Sequence, residues 1–118
     1  MNAAEQEQLR AFHAWLTEAC ERGPVPVLTG KNGDMDTIGS AIALSASHPR
    51  LMACGIHIGR TAKRVVENLQ APFRKIAAER TSWPAAMGGL IIVDAAAPGQ
   101  VGVQLPEGVP MCIIDHHA

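Results

Sequence analysis

The sequence predicts an α/β fold: a doubly wound, mostly parallel sheet with helices on both faces. Short apolar runs rich in β-branched residues alternate with helix-like segments along the 118 residues. The runs at residues 90–93 (LIIV) and 111–114 (MCII) are apolar throughout, which is typical of parallel strands covered on two faces. The length suits one domain with one core.

Hydrophobic spacing and turn residues define the elements of the first half. Apolar side chains recur at helical spacing near the start of the chain, until Gly23 and Pro24 end that helix. The next run (PVPVLT) predicts a buried strand, which opens into a loop at residues 30–33. The predicted elements are helices at about 3–21, 37–47 and 59–69, and strands at about 24–29 and 51–58.

The second half predicts a short helix at residues 73–80 and two further strands at 90–93 and 111–114. Residues 95–110 are rich in Gly and Pro and predict a loop with one short edge strand around Val101. The sequence stops directly after the last strand, where a doubly wound sheet would normally continue with a covering helix. We therefore expect the 118 residues to be part of a longer protein.

Composition excludes several classes of protein. Apolar residues make up 47% and charged residues 18%, which indicates a globular rather than a disordered chain. A net charge of -1 provides no basic field that would attract nucleic acid over long range, so a nucleotide must be held locally by metal ions and a few cations. The cluster Arg60, Lys63 and Arg64 has helical spacing and predicts a solvated helix face rather than a nucleic-acid site.

The predicted location is the cytoplasm, without a membrane partner. The first ten residues are mostly polar, and no apolar run approaches transmembrane length. Cys20, Cys54 and Cys112 are odd in number, far apart and set in apolar surroundings. They predict buried thiols in a reducing compartment rather than metal ligands.

The residues that could carry chemistry gather where the predicted strands end. All four aspartates lie there, whereas the seven glutamates fall mostly on predicted helices. Aspartate is short and has few rotamers to freeze, so it suits a rigid set of metal ligands, and the carboxyl ends of parallel strands are where ligands bind. The candidate residues are Asp34, Asp36, Asp94 and Asp115, followed by His116 and His117.

Their spacing predicts a site for two divalent ions. Asp34 and Asp36 are two residues apart, so in extended backbone both would point to the same side. Asp94 could bridge two cations from another strand, and His116 would supply a nitrogen ligand. Two ions about 3.5–4 Å apart can activate a hydroxide and clamp a phosphate. Mixed carboxylate and imidazole ligands favour Mn²⁺ over Mg²⁺ or Zn²⁺.

Three segments together resemble the first three motifs of the DHH phosphoesterase family. They are TGKNGDMDTIGSAIA at residues 29–43, VDAA at 93–96 and the DHH triplet at 115–117. Their order and their placement after strands match the family, and they span most of the chain. The family includes RecJ-like exonucleases, nanoRNases that also remove phosphate from pAp, cyclic-dinucleotide phosphodiesterases and manganese-dependent family II pyrophosphatases.

The resemblance implies that residues 1–118 are the N-terminal portion of a DHH domain, with hydrolysis of small nucleotides or short single-stranded oligonucleotides as the activity. It implies two Mn²⁺ ions, with Mg²⁺ as the alternative, and a homodimer is compatible with it.

The resemblance also implies a role for each candidate residue. Asp34 would bind the first metal, Asp36 the second and Asp94 both, while His116 would bind the second metal, His117 would face the scissile phosphate and Asp115 would orient the histidines.

The sequence departs from the family in two places. The first motif usually begins with a histidine four residues before the first aspartate, where this chain has Gly30. The first metal therefore loses a ligand unless water or another group replaces it. The fourth-motif aspartate and the companion substrate-binding domain of the family would both lie beyond residue 118.

Two other functions remain open on the sequence. Gly30 favours a degenerate relative that binds a nucleotide or a protein without turnover. The D-x-D-T pattern at residues 34–37 suggests a haloacid-dehalogenase-like phosphatase, which is disfavoured because a loop separates it from the strand and because that chemistry has no use for the DHH triplet. Taken alone, Asp36 is more simply explained as a helix cap or turn residue.

Overall fold

In a computed structural model, the described residues form a sheet of five strands, all of them parallel. This sheet confirms the predicted α/β class. The structure describes residues 2–31, 33–77, 83–93 and 101–114. Along the sheet the strands are ordered β3-β2-β1-β4-β5. The elements are α1 (Ala3–Arg22), β1 (Val25–Thr29), α2 (Met35–Ser45), β2 (Leu51–Gly55), α3 (Arg60–Leu69), β3 (Arg74–Lys75), β4 (Leu90–Val93) and β5 (Met111–Ile114).

Local signals at both ends fix the extent of α1. The side chain of Asn2 caps the helix by accepting a hydrogen bond from the N–H of Glu5 at 2.8 Å. At the other end, the N–H of Gly23 donates to the carbonyl of Ala19 at 3.2 Å. A Cβ at position 23 would overlap the carbonyl oxygen of Ala86, so glycine allows the chain to pass closely there before it enters β1.

The two faces of the sheet have different covers. Alternate strand residues, among them Val27 and Ile91, form the first core with α1 and α2. The residues between them, among them Leu28 and Ile92, form the second core. In the described ranges this second core is covered by side chains that lie outside the α-helices, namely Ile76, Trp83, Met87, Val101, Val103, Leu105 and Val109. Helix α3 packs beside α2.

Three sequence predictions need correction. The strand predicted at 51–58 ends at Gly55. The helix predicted at 73–80 is wrong in its described part, because Arg74–Lys75 pair with β2 as a short strand and the N–H of Ile76 donates to the carbonyl of Gly55 at 2.8 Å. The unpaired backbone groups at the edge of β2 pair with this segment. The pairing is non-local, so the helical spacing of apolar residues in the sequence does not predict it. Residues 101–110 contain no strand.

The last strand is also less covered than its sequence predicted. Met111, Ile113 and Ile114 are exposed, whereas all four residues of β4 are buried. The position of β5 at the end of the described sheet explains the difference, since its outer edge has no neighbour among the described residues. In the same ranges, no helix combines the length and the apolar character needed to cross a membrane.

Candidate metal and phosphate site

The strand order reverses between β1 and β4: β2 and β3 lie on one side of β1, whereas β4 and β5 lie on the other. From β1 the chain passes through α2, on the first face, to the neighbouring strand β2. From β4 it reaches β5 on the other side, and the described part of that connection covers the second face. Because β1 and β4 are themselves neighbours, their carboxyl ends flank a topological switch point. Open parallel sheets bind ligands in the crevice at this position.

The loop after β1 is held on two sides of this crevice. The N–H of Gly30 donates to the carbonyl of Val93 at 3.3 Å, which extends the contact between β1 and β4 by one residue. The carbonyl of Gly33 accepts from the N–H of Gly59 at 2.7 Å. Gly33 has φ 61°, and a Cβ there would overlap the carbonyl oxygen of His57, so only glycine suits this contact. The loop is therefore fixed where the aspartates begin.

Asp34 is the N-cap of α2. Its backbone is extended, and its Oδ1 accepts a hydrogen bond from the N–H of Thr37 at 2.9 Å. The carbonyl of Asp34 accepts the first helical hydrogen bond, from Ile38, also at 2.9 Å. The side chain is exposed. Capping thus holds the Asp34 carboxylate in one orientation at the carboxyl edge of the sheet.

Asp36 lies in the first turn of α2, because the helix begins at Met35, two residues earlier than predicted. The argument that Asp34 and Asp36 point to the same side of an extended segment is therefore wrong. The cap that the sequence suggested for Asp36 belongs to Asp34. Asp36 is exposed, and a negative charge in the first turn interacts favourably with the helix dipole.

The other four candidate residues, Asp94, Asp115, His116 and His117, lie outside the described residues, and their roles stay predictions. The structure does describe the strand residues that precede them. Thr29 pairs with Val93, and Val93 pairs with Ile114, so the last residues of β1, β4 and β5 form one row. The three motifs therefore begin where three neighbouring strands end.

Two carboxylates are the described donors at this edge, and both are hard oxygen ligands of the kind that Mn²⁺ and Mg²⁺ accept. No group of three or more His, Cys, Asp or Glu residues that could hold a metal occurs within the described ranges. A complete ligand set would also need Asp94 and His116, whose part in it stays a prediction.

Two cations lie beside this loop, although the sequence predicted only that one of them, Arg60, lies on a solvated helix face. Lys31 follows Gly30 in the loop after β1, and Arg60 follows Gly59 at the start of α3. Both side chains are exposed. The available signal was a glycine directly before each cation at a predicted strand-to-helix turn, where backbones can approach closely.

No protein-family model, curated protein or solved structure matches this chain. The DHH resemblance therefore rests on the three motifs alone and stays a prediction.

Proposed function

We propose that this chain is part of a metal-dependent phosphoesterase that hydrolyses phosphodiester or phosphomonoester bonds of small nucleotides or short oligonucleotides. The observation that carries the proposal is the row formed by Thr29, Val93 and Ile114 at the switch point of the sheet. Thr29 and Val93 are the first residues of the first two motifs, and Ile114 directly precedes the third. The resemblance to the DHH family supplies the choice of Mn²⁺ and of the substrate class.

The chain would contribute by holding ligands in place. Asp34 and Asp36 would bind metal from the start of α2, with Asp94 and His116 as the further ligands. His117 would face the phosphate, and Asp115 would orient the histidines. When bound, divalent ions supply a water of lowered pKa and neutralise charge that develops on the phosphate.

The capping role of Asp34 is compatible with metal binding. A carboxylate has two oxygens with about four lone-pair sites, so one carboxylate can accept the Thr37 N–H and also coordinate a cation. The cap already restricts the side chain, which lowers the entropy that is lost when a metal binds.

The decisive variant is Asp94→Ala in the full-length protein. Loss of a bridging carboxylate should abolish Mn²⁺-dependent hydrolysis of pAp and short oligonucleotides, a loss of several orders of magnitude, with the circular dichroism spectrum unchanged. Glu107→Ala removes an exposed carboxylate from the segment before β5 and is the matched control. Equal activity of Asp94→Ala and wild type would refute the proposed site.

One observation favours a second function, a degenerate module that binds nucleotide without turnover. Gly30 stands where the family has a metal-binding histidine, and its side-chain position offers no ligand. A wild-type protein that binds pAp with Mn²⁺ but does not hydrolyse it would establish this alternative. Turnover by a Gly30→His variant would then identify the missing ligand as the cause.

A further inference from the structure

The apolar face of α3 is covered at the start of the helix and uncovered at its end. Ala62, Val65 and Leu69 follow helical spacing and lie on one side of the helix. Ala62 is buried and Val65 is half-buried, whereas Leu69 is 73% exposed, the highest value for a large apolar side chain among the described residues. A single exposed leucine is ordinary, so its surroundings decide whether it has a partner.

The end of the helix holds Leu69 in a fixed position. The N–H of Gln70 donates to the carbonyl of Glu67 at 3.2 Å, and the N–H of Ala71 donates to the carbonyl of Val66 at 3.0 Å. Gln70 has φ 52°, so the chain turns sharply after Leu69 and leads into β3. Because the backbone is already ordered by these hydrogen bonds, docking of a partner on Leu69 would lose little conformational entropy.

Positive charge is concentrated on both sides of Leu69 in the chain. Residues 63–75 include one of the eleven acidic residues and four of the ten basic residues, namely Lys63, Arg64, Arg74 and Lys75. All four basic side chains are exposed, and both salt bridges among the described residues lie on α1 instead. The chain as a whole has a net charge of -1, so this surface differs in sign from the rest of the protein.

The cations of α3 and β3 are close enough for one short segment to contact both groups. Lys63 precedes Leu69 by roughly 9 Å along the helix axis. Arg74, the first residue of β3, follows Leu69 by five residues, so their Cα atoms are at most roughly 19 Å apart. An extended segment of about ten residues spans roughly 33 Å. We call Lys63, Arg64, Leu69, Arg74 and Lys75 together the α3–β3 surface.

The chemistry of the α3–β3 surface favours an acidic protein segment over other partners. A second copy of the chain would place like charges opposite one another. Single-stranded nucleic acid binds through stacking on aromatic side chains, whereas Phe73, the aromatic residue within this stretch, is half-buried and packs against the first core. A lipid surface requires a helix that can insert its apolar face, and Ala62 of α3 is buried in the protein.

We infer that the α3–β3 surface docks an acidic segment of a partner protein, whose carboxylates pair with the four cations and whose apolar side chain covers Leu69. Charge pairing would steer the encounter, and burial of Leu69 would provide much of the affinity. The sequence predicted only a solvated helix face for Lys63 and Arg64. The inference does not depend on the proposed phosphoesterase, because it uses none of the candidate metal ligands.

The test measures binding to the full-length protein without added divalent ions. The probe is a fluorescein-labelled peptide of about twelve residues that repeats Glu-Asp-Leu, followed by fluorescence anisotropy. The comparison ligands are the same peptide with serine in place of leucine, an oligothymidylate, and phosphatidylserine vesicles. Wild type should bind the leucine peptide at least about tenfold more tightly than the serine peptide, and added salt should weaken binding.

Variants of the surface should weaken binding of the leucine peptide for two separate reasons. Leu69→Gln should lose at least about tenfold in affinity for the leucine peptide and little for the serine peptide, because it removes the apolar contact. Lys63→Glu and Lys75→Glu should each lose at least about threefold for both peptides, because they reverse a charge on α3 or on β3.

Two matched controls lie on α1. Leu9→Gln changes a leucine that is 55% exposed, and Arg10→Glu reverses an exposed charge. Both should bind the leucine peptide as wild type does. The inference is overturned if the leucine peptide does not bind, if the controls lose as much affinity as the surface variants, or if the oligothymidylate or the vesicles bind this surface more tightly than the peptide.

Discussion

The N–H of Gly59 donates a hydrogen bond of 2.7 Å to the carbonyl of Gly33, which joins the loop after β1 to the loop after β2. Asp34 and Arg60 directly follow these two glycines, so this one bond relates the helix cap of α2 to the first cation of α3. The positive φ of Gly33 and its close approach to His57 make glycine necessary there. This contact is the basis for the first prediction.

Gly33→Ala should lower the free energy of unfolding more than Gly108→Ala does. Both glycines have positive φ, 61° and 70°, so each alanine is strained by about 1–2 kcal/mol. A Cβ at position 108 meets nothing within 4 Å, whereas one at position 33 overlaps the His57 carbonyl. The Gly33 variant should therefore lose at least about 1 kcal/mol more than the Gly108 variant in urea unfolding. Equal losses would contradict the close contact between the loops.

Asp34→Asn and Asp34→Ala separate the capping role from metal binding. Asparagine caps helices as well as aspartate does, so Asp34→Asn should unfold at nearly the wild-type urea concentration, while Asp34→Ala should lose about 1 kcal/mol. Both variants remove the negative charge. Each should therefore bind Mn²⁺ at least about tenfold more weakly in calorimetric titration. Unchanged Mn²⁺ affinity in Asp34→Asn would show that Asp34 is a cap and not a ligand.

Gly30→His should strengthen the first metal site and leave the second unchanged. The proposed second site would use Asp36, Asp94 and His116, none of which this substitution alters. Calorimetric titration of Mn²⁺ into the full-length wild type and the variant measures both sites. Equal stoichiometry and equal affinity in the two proteins would contradict the view that Gly30 removes a ligand.

Cys54 should make the fold sensitive to alkali. Burial raises the pKa of its thiol from 9.0 to about 12, and the nearby Arg74 offsets only part of that effect. Unfolded thiols ionise near pH 9, so the stability that the neutral buried thiol contributes is fully present below pH 9. It is lost as the pH rises toward 12, by at most about 1.4 kcal/mol per pH unit.

Urea unfolding between pH 8 and pH 11 measures this effect. The free energy of unfolding should fall less steeply with pH in Cys54→Ala than in wild type. Burial also raises the pKa of the Cys112 thiol, so Cys112→Ala should lose part of the pH dependence, but less of it than Cys54→Ala. If the free energy of unfolding depends on pH equally in Cys54→Ala and in wild type, Cys54 is not the source of the sensitivity to alkali.

Elements with strong local signals were predicted closely. The helix expected at residues 3–21 is Ala3–Arg22, since Asn2 and Gly23 act at its ends through neighbouring backbone groups. The strands Leu90–Val93 and Met111–Ile114 have the predicted bounds, because each is an unbroken apolar run that follows Gly89 or Pro110 and stops before an aspartate. Arg74–Lys75 was missed because its strand conformation depends on pairing with Cys54 and Gly55, about twenty residues earlier.

The sequence by itself determined the α/β class, the extent of the long helix, and the placement of aspartates after strands. These features depend on side-chain periodicity and on caps that act within one turn of backbone. Only the tertiary structure decided which strands are neighbours, that Asp34 rather than Asp36 caps α2, and that β5 is exposed. It also placed Arg60 beside the loop of Asp34, because the Gly33–Gly59 contact joins residues that are distant in sequence and carry no side-chain pattern.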